Sequence, residues 1–281
     1  MHQNNVGEYL SIDETSLSQG ELYTVVTNKS GKGKKGTLVA MIKGTESEFV
    51  SSILKKIPEN MRNKVKEVTM DMAASMQKIV RSCFPKATHV TDRFHVQQLA
   101  FEALQEMRIA HRWEAIEQEN KELEMSKEIG KPFVDHKFEN GDTRKQLLAR
   151  SRYLLFKPDN KWTPSQRFRA EILFENYPDL HKAHKLCMEL GDIYNKTNLK
   201  GVALTKLAKW YDIVEKSGFK TFRVISLTIQ NHYQTILNYF ERKSTNASAE
   251  SFNAKIKAFR SQFRGVRNIP FFLYRLSKIY A

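Results

Sequence analysis

Three aspartates stand where a stretch of strand-forming apolar residues ends: Asp13, Asp71 and Asp92. The first follows a strand that is expected to be half-buried, with Leu10 and Ile12 facing the core. Burying a carboxylate in such a place is costly unless it meets an arginine or lysine, backbone N–H groups or a metal ion. Strand ends are also where α/β sheets build their sites. An isolated aspartate of this kind more often only starts a turn, so the case for chemistry depends on a further acid.

The further acid is Glu250, which lies at the start of a helix with two distinct faces. Apolar residues at helical spacing predict the buried face: Phe252, Ile256, Phe259 and Phe263. The opposite face carries an acid followed by polar and basic residues, namely Glu250, Asn253, Lys257, Arg260 and Arg264. A glutamate in the first turn also suits the helix dipole, so this position has a purely structural explanation as well.

Two aspartates on neighbouring strand ends and a glutamate from a later helix can form a pocket of three carboxylates. Hard divalent cations such as Mg²⁺ take oxygen ligands of this kind. Two such ions, ~3.5–4 Å apart, activate a nucleophile and stabilise the leaving oxygen in phosphoryl transfer. The strand pattern alone does not decide whether Asp71 or Asp92 would be the second ligand.

The elements that position these acids follow a β-rich pattern and then a helical one. Alternating and β-branched apolar residues predict five strands, at residues 9–13, 22–27, 37–42, 65–70 and 87–91. From residue 94 onward the apolar positions recur at helical spacing almost to residue 240. We therefore predict an α/β fold, with a sheet and flanking helices in residues 1–112 and 241–281 and an all-helical insertion domain in residues 113–240.

The balance of charge favours a polyanion as the partner. The 281 residues include 46 lysines and arginines against 31 acids, which gives a net charge of +15 and a pI of about 9.6. Nucleic acid is the first candidate, and a membrane is a weak second because no apolar run approaches the ~20 residues of a spanning helix. No secretory signal is present, and Cys83 and Cys187 form no zinc pattern. A cytoplasmic protein with reduced cysteines is the simplest interpretation.

Several short segments, in this order, resemble one known family. They are Ser-Ile-Asp13-Glu14, Met-Asp71-Met-Ala-Ala-Ser, Val-Thr-Asp92-Arg-Phe-His95-Val, Arg152-Tyr-Leu-Leu-Phe-Lys-Pro158, Thr163-Pro-Ser-Gln-Arg167 and Asn246-Ala-Ser-Ala-Glu250-Ser-Phe-Asn-Ala-Lys-Ile-Lys257. Each is weak alone, but their order and spacing resemble the catalytic region of bacterial ISL-type insertion-sequence transposases. These enzymes belong to the DDE superfamily, which has a ribonuclease-H-like fold.

The resemblance implies a DNA transposase that cleaves phosphodiesters and transfers strands. It assigns the catalytic metal-binding carboxylates to Asp13, Asp71 and Glu250, which would hold two Mg²⁺ ions, with Mn²⁺ as a substitute. It also gives a supporting role to Asp92 and His95. A cap on the following helix explains Asp92 equally well, because aspartate is a favoured N-cap residue. The expected partners are the transposon ends, target DNA and further copies of this chain assembled on DNA.

Other interpretations remain open at this point. Members of the family usually carry an N-terminal zinc-binding or helix-turn-helix module, but this sequence has no CxxC motif. We expect that a separate polypeptide supplies that module, or that the chain is a truncated form or gene remnant. The same carboxylates would serve another ribonuclease-H-like nuclease, such as a resolvase or an integrase-like enzyme. A non-catalytic DNA-binding remnant is the other alternative. The basic residues Lys257, Arg260 and Arg264 are as consistent with a solvated face as with contacts to the DNA backbone.

Overall fold

A five-stranded mixed sheet forms from the first third of the chain. The computed structural model describes residues 1–16, 20–262 and 268–281. Its strands are β1 (Tyr9–Ser16), β2 (Leu22–Asn28), β3 (Leu38–Lys43), β4 (Glu67–Met70) and β5 (Thr88–Thr91). They lie in the order β3-β2-β1-β4-β5, with β2 antiparallel to both β1 and β3, and with β4 parallel to both β1 and β5. This order is that of the ribonuclease-H-like fold, so the predicted fold class is confirmed, and each predicted strand overlaps an observed one.

Helices follow β3, β4 and β5, and after β5 they occupy most of the chain. They are α1 (Ser47–Leu54), α2 (Glu59–Arg62), α3 (Ala74–Cys83), α4 (Arg93–Glu128), α5 (Arg144–Arg150), α6 (Pro164–Asn176), α7 (Pro178–Lys196), α8 (Lys200–Ser217), α9 (Lys220–Asn231), α10 (Tyr233–Arg242), α11 (Ala247–Gln262) and α12 (Ile269–Tyr280). In the described part of the chain, none of them is long and apolar enough to cross a membrane.

The chain forms two compact units, which we call the sheet-bearing unit and the helical unit. The sheet-bearing unit comprises Met1–His95, Asn198–Lys200 and His232–Ala281, and the helical unit comprises Val96–Thr197 and Gly201–Asn231. Among the described residues, every strand of the sheet lies before Asp92, and residues 113–240 contribute none, as the sequence predicted. The domain boundaries at 112/113 and 240/241 stay predictions.

Strand β1 is buried on both faces, which corrects the expectation of a half-buried strand. Leu10 and Ile12 pack into one core together with side chains of α1 and α3. Ser11 points to the opposite face and is fully buried there as well. The reason is that α11 also contacts β1 and β2, and its Phe252 and Ile256 are buried in a second core on that side. Any polar group on this face of β1 therefore needs a partner.

Helix α10 covers the open edge of β5. The side-chain amide of Asn238 donates to the carbonyl of His89 at 2.8 Å, and the hydroxyls of Thr91 and Thr235 lie 2.7 Å apart. An uncovered edge strand would present unpaired N–H and C=O groups. These bonds fix the end of β5, where Asp92 follows.

The helical unit contains a buried carboxylate that joins two arginines. Asp142 is fully buried, accepts a hydrogen bond from Nε of Arg169 at 2.8 Å and also pairs with Arg150. The amide of Asn140 donates to the same carboxylate at 3.0 Å. Burial raises the pKa of Asp142, but the hydrogen bonds from Arg169 and Arg150 outweigh it, so the pKa lies below its usual value.

We expect Asp142→Asn to lower the free energy of unfolding by roughly 3 kcal/mol, as for other broken buried ion pairs. A carboxylate whose pKa is depressed in the folded state stabilises the protein above its unfolded-state pKa, and this contribution is lost as pH falls below about 4. The difference between the two proteins should therefore stay constant from pH 6 to about pH 4 and shrink as the pH falls further. Urea unfolding followed by circular dichroism measures it. Asp212→Asn, at an exposed position of α8, is the control and should change stability by less than about 0.5 kcal/mol.

Candidate active site

The parallel strands place three aspartates in one row along an edge of the sheet. The register of β1 with β4 reaches Ser11 opposite Thr69, and two residues further on Asp13 lies beside Asp71. The register of β4 with β5 reaches the residues just before Asp71 and Asp92, so these two are neighbours as well. Neighbouring strands lie about 4.8 Å apart, which brings the three carboxylates within range of one another's charge.

Asp13 is held by two hydrogen bonds. Its Oδ1 accepts from the N–H of Glu14 at 2.8 Å, and its Oδ2 accepts from the side-chain amide of Asn253 at 2.8 Å. Burial raises the pKa of Asp13, and the charges of Asp71 and Asp92 raise it further, against the lowering effect of the Glu14 hydrogen bond and of His95. The carboxylate thus lies in a region of accumulated negative charge, where a cation would be stabilised.

Asp71 and Glu14 extend this acidic region. The Oδ1 of Asp71 accepts from the N–H of Ala73 at 3.0 Å, which orients the carboxylate at the turn between β4 and α3. Burial is the largest cause of the raised pKa of Glu14, and the negative charges of Asp71 and Asp13 raise it further. The sequence pattern assigned Glu14 no role. The signal that could have revealed it is the second acid of the Ser-Ile-Asp13-Glu14 segment.

Glu250 lies in the first turn of α11 and is exposed. Burial raises its pKa, the charges of Asp92 and Asp13 add to the increase, and His95 opposes them. The structure therefore brings Glu250, Asp92, Asp13 and His95 into one electrostatic neighbourhood. They come from α11, the residue after β5, β1 and the first turn of α4, and all four residues lie in the sheet-bearing unit. His95 itself is half-buried in the first turn of α4.

Asp92 connects the end of β5 to the beginning of α11. It is almost completely buried, and its Oδ1 accepts from the backbone N–H of Asn246 at 3.2 Å. The carbonyl of Asn246 in turn accepts from the N–H of Glu250 at 2.9 Å, so Asp92 is linked to Glu250 through one residue. Its Oδ2 is buried without a hydrogen-bond partner among the described residues. The sequence singled out the motif that contains Asn246 but not this contact.

The donor set suits a hard divalent cation, although the side chains do not form a closed ligand cage. Among the described residues, no three histidine, cysteine, aspartate or glutamate side chains are gathered closely enough to hold a metal ion together. Asp13, Asp71 and Glu250 nevertheless offer only oxygen donors, the type that Mg²⁺ prefers. The pKa values of Asp13 and Glu250 are both raised, which shows that their negative charges are destabilised there. A bound divalent cation would change the local charge around these carboxylates from negative to positive.

The predicted DNA-contacting residues of α11 fall into three groups. Asn253 is buried and bonded to Asp13, so it belongs to the carboxylate region. Lys257 is exposed and Arg260 is half-buried, which leaves both able to reach a ligand in solvent. Arg264 lies outside the described residues, as does Phe263 of the predicted apolar face. Contact of these residues with DNA stays a prediction.

The comparisons with known proteins show the family of the chain. The chain belongs to the ISL3-type DDE transposase family, described as transposase, which matches residues 10–276. The resemblance found in the sequence is thereby confirmed. DDE transposases process DNA and generally use divalent metal ions.

The chain is also similar to the transposase for insertion sequence element IS1001 of Bordetella parapertussis. The two are 21% identical over 271 residues, which covers 96% of this chain and 60% of that protein. The chain thus spans about three-fifths of the length of the curated relative it matches. No solved structure matches.

Proposed function

We propose that the protein is the catalytic part of a DDE transposase that cleaves DNA phosphodiesters and transfers the resulting strand in a metal-dependent reaction. The observation that carries the proposal is the row of Asp13, Asp71 and Asp92 along the sheet, with Glu250 of α11 electrostatically coupled to it. Membership of the transposase family supports the same assignment.

Within this proposal Asp13, Asp71 and Glu250 hold two Mg²⁺ ions, for which Mn²⁺ substitutes. When bound, the ions supply an activated oxygen nucleophile and stabilise the leaving oxygen of the phosphodiester. Water attacks first and frees a 3′-hydroxyl at the transposon end. That hydroxyl then attacks target DNA in a transesterification, which conserves the number of phosphodiester bonds.

Other residues of the chain position these carboxylates. Asn253 donates to Asp13 and keeps one of its oxygens in a fixed direction. Asp92 accepts a hydrogen bond from Asn246, directly before α11, and so sets the position of Glu250. When it is protonated, His95 adds positive charge near Asp13 and Glu250. Lys257 and Arg260 contact the DNA backbone, which positions the substrate without reading its sequence.

The partners follow from the same assignment. We propose that the chain acts on transposon ends and target DNA, in the cytoplasm, as an oligomer assembled on DNA. The net charge of +15 supports binding to a polyanion.

A cleavage assay tests the proposal. Labelled duplexes carrying the ends of the parent element, both intact and pre-nicked, are incubated with the protein in Mg²⁺, in Mn²⁺ and in EDTA. We expect cleavage with either ion, strand transfer from the pre-nicked duplex, and neither reaction in EDTA.

Cleavage without strand transfer would favour another ribonuclease-H-like nuclease of the resolvase or integrase type. DNA binding with no cleavage of either duplex in either ion would indicate a non-catalytic remnant and would overturn the proposal.

A further inference from the structure

The helical unit contains three arginines that form no ion pair with any described acid. Arg108 and Arg112 lie four residues apart on α4 and therefore share a face of the helix. Arg152 follows α5, and its carbonyl accepts a hydrogen bond from the amide of Gln105, one turn before Arg108. All three lie within Val96–Thr197, so the cluster is formed by the helical unit alone.

Arg108 is the buried member of the cluster and has a structural role. It is 6% exposed, donates to Oε1 of Gln105 at 2.7 Å and donates to the carbonyl of Leu148 at 2.9 Å. These bonds join α4 to α5 and satisfy part of the guanidinium. They explain why Arg108 is present, but they do not explain why two further arginines stand beside it.

Arg112 and Arg152 both place like charge near Arg108. Burial lowers the pKa of Arg108, and the charges of Arg152 and Arg112 lower it further. In the part of the chain that the structure describes, none of the three forms an ion pair. The contrast with Arg150 and Arg169 is informative, because both meet the buried carboxylate of Asp142 within the same unit. Arg108, Arg112 and Arg152 have no such carboxylate beside them among the described residues.

Arg112 is half-buried, and its Nε is enclosed without a hydrogen-bond partner among the described residues. Arg152 is exposed, and its guanidinium lies 5.5 Å from the centre of the ring of Tyr153, which is 68% exposed. A guanidinium matches the geometry of a phosphate with two parallel N–H donors, and an exposed ring beside it can pack on a sugar or base.

We propose that Arg108, Arg112 and Arg152 form a binding site for the phosphodiester backbone of DNA. In this site Arg112 and Arg152 contact phosphate. The buried Arg108 holds α4 to α5 and so fixes the positions of the other two. The proposal rests on the proposed function, in which DNA is the substrate. It adds a contact surface on the helical unit that is distinct from the carboxylates of the sheet-bearing unit. Neither the family match nor the sequence segments assign these residues to DNA.

Salt-dependent DNA binding tests the site. The full chain and its variant Arg112→Gln/Arg152→Gln are titrated with a fluorescein-labelled duplex of arbitrary sequence in EDTA, from 50 to 200 mM NaCl. Each phosphate contact contributes about 0.9 to the slope of log affinity against log salt. We expect the double variant to lose about 1 to 2 from that slope and roughly tenfold in affinity at the low-salt end.

The control is Lys209→Gln/Arg223→Gln, which removes the same two charges from exposed positions of α8 and α9 in the same unit. If it lowers the slope as much as the test variant does, or if the test variant binds like the unchanged protein, the site is refuted while the proposed function stands. A second variant, Arg112→Lys/Arg152→Lys, keeps the charge and should recover most of the slope but not all of the affinity. Absence of DNA binding by the unchanged protein would overturn both proposals.

Discussion

Replacing any one of Asp13, Asp71 and Glu250 should abolish Mg²⁺-dependent DNA cleavage without unfolding the protein. Asparagine or glutamine keeps the size of the side chain but removes the negative charge that a divalent cation requires. Replacing a residue that only orients a ligand typically costs 10–100-fold, and loss of a ligand itself should cost more. Asp71 and Glu250 are not fully buried, so their loss should leave the fold intact.

The measurement compares initial cleavage rates of Asp13→Asn, Asp71→Asn and Glu250→Gln on the pre-nicked duplex, with circular dichroism to confirm folding. Glu59→Gln is the matched control. Like Glu250, Glu59 is an exposed acid in the first turn of a helix, here α2, but it takes no part in the carboxylate region. Its rate should equal that of the unchanged protein. If one of the three variants is folded and still cleaves at more than a tenth of the normal rate, the replaced residue is not a metal ligand.

The sequence predicted the strands well, because apolar periodicity is a local property. Each of the five predicted strands overlaps an observed one, and the apolar face of α11 is buried at Phe252 and Ile256 as expected. The burial of Ser11 could not be predicted in the same way. It depends on α11, more than two hundred residues later, covering the second face of β1.

The site was predictable only in part for a related reason. The ends of strands identify Asp13, Asp71 and Asp92. Their order across the sheet follows from the strand order, and their alignment follows from register, and no single strand encodes either. Asn253 was assigned to a DNA-contacting face because helical periodicity places it with Lys257. Its bond to Asp13 arises from a contact across 240 positions. The arginine cluster was missed because Arg108 and Arg152 are far apart in sequence and meet through the packing of α4 against α5.

The choice between Asp71 and Asp92 as the second metal ligand is open to a direct test. Both aspartates end neighbouring strands, and the resemblance assigns the metal to Asp71. The two aspartates have different environments in the structure. Asp71 is half-buried and lies next to Asp13, whereas Asp92 is almost completely buried and uses Oδ1 to accept the N–H of Asn246.

These environments predict different outcomes for the same substitution. Asp71→Asn removes a charged oxygen beside Asp13 and should abolish Mn²⁺ binding. Asp92→Asn keeps an oxygen that can accept from Asn246, so α11 should retain its position and Mn²⁺ should still bind. Asp92→Asn also removes a negative charge near Glu250. This loss should slow cleavage by roughly 10–100-fold, as is usual for residues that orient a ligand.

Calorimetric titration with Mn²⁺ measures the first effect, and cleavage rates measure the second, with circular dichroism as the check on folding. Asp92→Ala provides the control for the hydrogen bond, because it removes the acceptor as well as the charge. It should weaken Mn²⁺ binding more than Asp92→Asn does, since the start of α11 and therefore Glu250 would lose their connection to β5. If Asp92→Asn instead loses the metal while Asp71→Asn keeps it, Asp92 is the ligand, and Asp71 serves only to begin the turn into α3.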